Sequence, residues 1–309
     1  MNEYVLGILA NMGLLSFLAL SAYVLLIAGE MSFGQQAFFA IGAYSAAATT
    51  VLGALPLGVA LALAAALGGI AGAALGCVTL RLRGLYFSMS TLAAAEAVRI
   101  FFELLQFQRT TADGDSVRPN GSDGFGAIRY VYEHGLGQGE FVLLIYAVLL
   151  LVLTALYACE RAHFGVALRM VGEDPDLAGV LGINSRRTKL AAATASGAIA
   201  AIGGGLYAHY NTYIEPGNFD VMLGIHSVAY ALIGGLGTPL GSLLGVGADV
   251  LLLEGSRIFH GYRMIAFGGL VALFLIVRPR GLLDEQLVCK LRARVRRAPP
   301  YAGRALEET

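Results

Sequence analysis

The stretch CERAHFGVALRMVGEDPDLAGVLGINSRRTK, residues 159–189, decides the fold. Glu160, Arg161, Arg169, Glu173, Asp174, Asp176, Arg186, Arg187 and Lys189 make it too charged to cross hydrocarbon. Val166, Leu168, Met170, Val171, Leu177, Val180, Leu181 and Ile183 nevertheless recur at spacings that a helix places on a face. Long apolar runs flank the stretch on both sides, so it reads as a helical element held outside a membrane. An outside element with an apolar stripe of its own calls for a protein partner. Asp174 followed by Pro175 supplies an N-cap and a first helical residue, which predicts a short helix over 175–181 closed by Gly182.

The rest of the chain agrees with a membrane setting. Of 309 residues, 57% are hydrophobic and only 14% charged, and the mean hydropathy is +0.70, more apolar surface than a water-soluble fold can hide. The expected fold class is all-α, a polytopic transmembrane bundle. Formal net charge is zero, which gives no reason to expect nucleic acid as a partner. The three cysteines, Cys77, Cys159 and Cys289, have no spacing for zinc or a disulfide framework and are expected to be structural.

Apolar runs of spanning length fall at 4–28, 36–55, 57–80, 84–107, 140–158, 190–210, 220–236, 240–256 and 263–278. About nine spans are therefore predicted, give or take one. The first lacks a basic leader region and is expected to be retained. The glycine-rich GGLGTPLGSLLG, residues 234–245, can instead be a tight turn or a broken, re-entrant helix. If 159–189 is cytoplasmic, that side collects Arg81, Arg83, the basic residues of the stretch and those after Val277, fifteen in all, against Arg109, Arg118, Arg129, Arg257 and Arg263 opposite. The positive-inside rule then puts the amino terminus out and the carboxy terminus in. Residues 1–283 form the predicted transmembrane domain, and 284–309 a basic cytoplasmic tail that anchors to anionic lipid.

Two spans carry small-residue faces that let backbones approach: Gly68, Gly72 and Gly76 on one, and Ser196, Ala200 and Gly204 with Gly197, Ala201 and Gly205 on the other. The outer segment 108–139 contains ADGDSVRPNGSDGFG, a turn-forming composition that is either a solvated connector or a surface for something arriving from outside.

Chemistry on a substrate is not expected. A P-loop needs a lysine after a glycine-rich turn, and the two lysines, Lys189 and Lys290, follow SRRT and LVC; ATP, if used, is used by another polypeptide, and no cofactor is predicted for this one. The five histidines show no metal-binding spacing, so no metal is expected. His209 and His226 lie in or beside apolar spans and either line a cavity or pack. Gln35 and Gln36, at the start of an apolar span, either bind a zwitterionic solute or cap a helix. Glu96, Arg99 and Glu103 stand three and four apart on one helix face. A charge left in hydrocarbon costs about 2.5–3.5 kcal/mol on insertion scales, so they are expected to form an ion-pair ladder facing the bundle interior, with a proton relay as the rival reading. Asp249 and Glu254 have no evident local partner.

Taken together, these motifs resemble the permease subunits of ABC importers for branched-chain amino acids, of the LivM type. The resemblance rests on GEMSFGQQAFFAIGAYSAA from Gly29, RLRGLYFSMSTLAAAEAVRI from Arg81, NGSDGF at 120–125, FGVALRMVGEDPDLAGVLGINSRRTKL from Phe164 with GGGLYAHYNTYIEPGNF after it, and ALIGGLGTPLGSLLG from Ala231. It implies an inner-membrane permease without a nucleotide site of its own. Its partners would be a second, homologous permease, two cytoplasmic ATP-binding subunits and a periplasmic solute-binding protein. It also implies that Glu173, Asp174, Leu177, Ala178, Gly182, Ile183 and Asn184 couple to the ATPase, and that Asn120, Gly121, Asp123 and Gly124 meet the binding protein. Gly179 stands where a second alanine is usual. Relatives import branched-chain or other amino acids, urea or short amides; a proton-coupled carrier is the alternative from another class.

Overall fold

A computed structural model describes residues 3–106, 109–110, 116–117, 121–126, 128–133, 135, 137–251, 263–277 and 281–282. The chain is an all-α polytopic membrane protein. In order, the helices are α1 (Glu3–Ile27), α2 (Gln35–Val51), α3 (Leu57–Thr79), α4 (Leu85–Leu104), α5 (Tyr130–Glu133), α6 (Gln138–Arg161), α7 (His163–Glu173), α8 (Pro175–Val180), α9 (Ser185–Asn211), α10 (Val221–Gly234), α11 (Pro239–Asp249) and α12 (Arg263–Val277). The one strand pair among the described residues matches Arg109 with Val117 and Thr110 with Ser116.

Among the described residues, each of the nine apolar runs contains a helix. Among these same residues five helices, namely α1, α3, α4, α6 and α9, are long and apolar enough to cross a membrane alone, and α10 with α11 makes a sixth if the pair is one broken span. The chain turns by 114° between α10 and α11. The sequence offered a tight turn or a broken helix here, and glycine makes the turn possible: Gly235 has φ +91°, and a Cβ at Gly245 or Gly234 would overlap the Tyr230 or Gly241 carbonyl.

α9 is the central post. Its face of small residues meets α3, where a Cβ at Gly72 would overlap the Ala193 carbonyl and one at Gly197 the Gly68 carbonyl. The same helix meets α2, where Gly42 abuts Ala201 and Gly204 abuts the Phe39 carbonyl, and α1, where Gly203 abuts Phe17. With apolar lipid on the outside there is little hydrophobic gain from helix association, so this backbone proximity supplies the packing. Ser21 and Ser196, both buried, add a hydroxyl pair at 2.9 Å between α1 and α9.

The helix ends sort into two groups. At one end, Lys189 at the start of α9 binds Glu30 just after α1 at 2.6 Å, Ser88 at the start of α4 donates to the Met31 carbonyl, and Leu282 N–H donates to the Ile233 carbonyl beside the α10–α11 turn. At the other, Leu57 N–H at the start of α3 donates to Tyr130 Oη, and Phe125 pairs with Ile214 beyond the end of α9.

Candidate functional site

The element that leaves the bundle at the first of these ends is α7 and α8. α7 begins directly after α6, and α8 forms as the dipeptide Asp174–Pro175 requires: the Asp174 carboxylate accepts from the N–H groups of Asp176 and Leu177 at 2.9 and 3.0 Å, and Pro175 takes the first helical position. The predicted helix over 175–181 ends one residue earlier, at Val180. Gly182, at φ +82°, turns the chain, with the Ile183 N–H bonded back to the Ala178 carbonyl. The Asn184 side chain then caps α9 by accepting from Arg187 N–H at 3.0 Å.

One face of this element is fixed to the bundle. Arg169 on α7 donates to Glu160 on α6 and to Tyr23 on α1, each at 3.2 Å. It also donates to the Leu236 and Gly237 carbonyls of the α10–α11 turn at 3.1 and 3.3 Å. Tyr23 in turn donates to Glu160. The fork of the guanidinium lets one side chain hold four groups on three other elements. Close by, Gly172 lies so tightly on the α1 terminus that a Cβ there would overlap the Ile27 carbonyl.

The other face is open. Leu177, Val180 and Leu181 are 57%, 85% and 60% exposed, and Glu173, Asp174, Gly182 and Asn184 are exposed beside them, with Ile183 half-buried and Ala178 buried. The residues singled out for coupling thus divide: Asp174, Gly182 and Asn184 shape α8 and its exits, Ala178 packs it, and Leu177 presents an apolar side chain outward. Charge alone drew attention to Glu160 and Arg169; their meeting, nine residues apart across a helix break, carried no spacing signal. Glu30 was missed altogether, although it lies inside the GEMSFGQQ motif.

At the opposite end, Gly121 and Gly124 are buried with φ +62° and +76°. Gly121 N–H donates to the Leu105 carbonyl at 3.1 Å, and Gly124 lies against the Ile214 carbonyl. Tyr213 Oη donates to the Asp123 carbonyl at 2.7 Å. Gly121 thus ties the segment to the end of α4 and Gly124 ties it to the chain after α9, and Ser122 and Asp123 are exposed at its tip. Asn120 lies outside the described residues, as do Cys289, Glu254 and the 284–309 tail.

Gln35, Gln36 and His209 are all 1% exposed or less, inside this chain and not on its surface. His209 is held by Thr50 at 3.0 Å and the Gly205 carbonyl at 2.7 Å, the packing role. The Gln35 and Gln36 side-chain amides have no hydrogen-bond partner among the described residues, and Gln36 presses on Gly224 of α10, where a Cβ would overlap its Oε1. His226 is half-buried and its ring lies tilted against Phe267 of α12, at a centroid separation of 4.1 Å. Asp249, which lacked an evident partner in sequence, accepts from Tyr230 Oη at 2.7 Å.

The ladder forms as its spacing predicts, with Arg99 2.6 Å from Glu96 and 3.2 Å from Glu103. Its orientation is different from the expectation. The three side chains are 26%, 35% and 42% exposed for Arg99, Glu96 and Glu103, at the edge of the open face of α4 and not in the bundle interior, because α4 buries Phe87, Thr91, Ala95 and Phe102 instead. No group of three or more metal-binding side chains occurs among the described residues.

Comparison with known proteins gives the context. The family described as "Branched-chain amino acid transport system / permease component" matches residues 4–277. The high-affinity branched-chain amino acid transport system permease protein LivM of Escherichia coli K12 is 30% identical over 282 residues, 83% of this chain and 64% of that protein. The corresponding LivH protein of the same organism is 29% identical over 150 residues, 48% of each chain. The nucleoside ABC transporter permease protein NupC of Lactococcus lactis is 35% identical over 108 residues, 34% of this chain and 31% of that one. The chain thus spans 64% of the length of the LivM relative that it matches. No solved structure matches it.

Proposed function

The chain belongs to the family of permease components of branched-chain amino acid transport systems, and on that premise we propose that it is the inner-membrane subunit of an ATP-driven importer of branched-chain or related amino acids. It works with a second, homologous permease, two cytoplasmic ATP-binding subunits and a periplasmic solute-binding protein. The observation that carries this reading is the α7–α8 element, anchored on one side through Arg169 and open on the other through Leu177, Val180 and Leu181. A water-soluble ATPase groove can cover those apolar side chains, and motion imposed on them reaches α1, α6 and the α10–α11 turn through a single guanidinium.

The permease alternates access: solute enters from the loaded binding protein at the end bearing Ser122 and Asp123, and ATP-driven closure of the ATPases favours the opposite opening by binding one state better than the other. No nucleotide or other cofactor is held by this subunit, and the solute is not altered chemically. In this conformation Gln35, Gln36 and His209 are inside one chain, so they touch a path between two permeases only after rearrangement. The basic residues put α7, α8 and the carboxy terminus on the cytoplasmic side.

The test is purification from native membrane with identification of the bound chains, then ATP-dependent uptake of leucine, isoleucine or valine in vesicles. Copurifying ATPase and second permease with such uptake supports the proposal. This protein alone, with uptake that follows a proton gradient, moves the function to a secondary carrier.

A further inference from the structure

Glu96 lies eleven residues after Leu85, the first residue of α4, which places it about 16 Å up a helix about 30 Å long, near the middle of the hydrocarbon layer. Arg99 lies one turn beyond. At that depth a carboxylate about a third exposed is costly against lipid tails and is too far from either end of α4 to reach headgroups, whereas Arg99, five residues from the end of α4, can extend toward one. Their ion pair does not remove the difficulty, since about a third of the Glu96 side chain remains open although it is bonded to Arg99. Something polar covers this face. A soluble ATPase or binding protein meets the ends of the helices and cannot reach their middle, so the covering chain spans the membrane itself.

We propose that the face of α4 bearing Glu96, Arg99 and Glu103, with Ala93 and Ala97 exposed beside it, borders the water-filled solute path and faces the second permease subunit across it. This rests on the importer reading and adds the location of the path. The ladder would offer a passing zwitterion both signs of charge, while the two alanines leave room for a close helix or for water. α4 also exposes Met89, Ile100 and Phe101, so its polar stripe is narrow, but the outward side chains of α6 at similar depth, Leu150 and Leu151, carry no charge beside them at all.

The test uses the complete transporter reconstituted in vesicles, with Cys77, Cys159 and Cys289 changed to serine and a single nitroxide-labelled cysteine at Ala93→Cys, Ala97→Cys or Leu150→Cys. Collision with a water-soluble nickel chelate and with oxygen is measured, together with bifunctional thiol cross-linking to the copurified chains. The expected result is nickel accessibility at Ala93→Cys and Ala97→Cys several-fold above that at Leu150→Cys, and cross-links from the first two to the second permease. Lipid-like accessibility at all three positions overturns the proposal, as does aqueous accessibility without a cross-link to the permease. If no second permease or ATPase copurifies at all, the importer reading fails and this proposal falls with it; if they copurify and the α4 labels behave as in lipid, only this proposal fails.

Discussion

The guanidinium of Arg169 donates to the Leu236 carbonyl at 3.1 Å, joining α7 to the α10–α11 turn across 67 residues of chain. The same guanidinium also holds the Gly237 carbonyl, so the turn is tied to α7 at two adjacent points of its backbone.

Replacing Arg169 with Met should therefore separate ATP hydrolysis from transport. Glu160, with 13% of its side chain exposed, would lose its cation, at a cost of about 1–3 kcal/mol for a hydrogen-bonded charge that retains some solvent. The assembled transporter should still hydrolyse ATP while solute uptake falls, and Arg169→Lys should recover only part of the uptake, since an ammonium cannot reproduce the fork. Parallel ATPase and uptake measurements check this; equal loss of both would mean that Arg169 serves assembly alone.

Lys189→Met should destabilise the protein more than most single changes. It strands Glu30, which is 6% exposed, without its partner, and breaking a buried pair in this way costs about 3–5 kcal/mol. Thermal unfolding in detergent should show a large drop for the single variant and recovery of most of it in Lys189→Met with Glu30→Gln.

Substitution of Leu177 and Val180 by Asp should leave the fold intact, as both side chains are already more than half exposed. Loss of apolar burial of about 1.5–3 kcal/mol per residue would weaken ATPase association by roughly tenfold or more at each site. Copurification of the ATPase with the variants is the readout, and undiminished association would remove α8 from the interface.

Glycine-to-alanine changes should divide by position. Gly72→Ala and Gly197→Ala push backbone against backbone and should cost about 1–3 kcal/mol. Gly58→Ala and Gly139→Ala, with nothing within 4 Å of the added carbon, should be neutral or stabilise by about 0.5–1 kcal/mol through the helical preference of alanine. The four melting temperatures, measured side by side, test whether the α3–α9 contact is as close as described.

Much of this architecture was legible because its signals are local. Gly68, Gly72 and Gly76 recur at one helical turn, so their shared face follows from spacing, and Asp174–Pro175 with Gly182 carries both ends of α8 within nine residues. Glu30 and Lys189 meet across 159 residues, and no pattern along the chain announces such a pair. The ladder on α4 shows the intermediate case: spacing pairs Glu96 with Arg99 and Glu103, but a helix that is apolar on nearly every side gives no direction for its polar stripe. The expectation that charges turn inward was reasonable for one chain in lipid. It failed because the inward positions are taken by Phe87, Thr91, Ala95 and Phe102, which pack on the neighbouring helices.

The backbone contacts of α9 with α2 and α3 allow only one vertical alignment. Sliding α9 by a turn would bring Tyr207 to the level where Gly203 or Gly204 now passes, and no side chain fits there. These three helices must consequently travel together as a rigid slab, and any opening or closing of the protein is left to hinge at its margins, where α10 doubles back on α11.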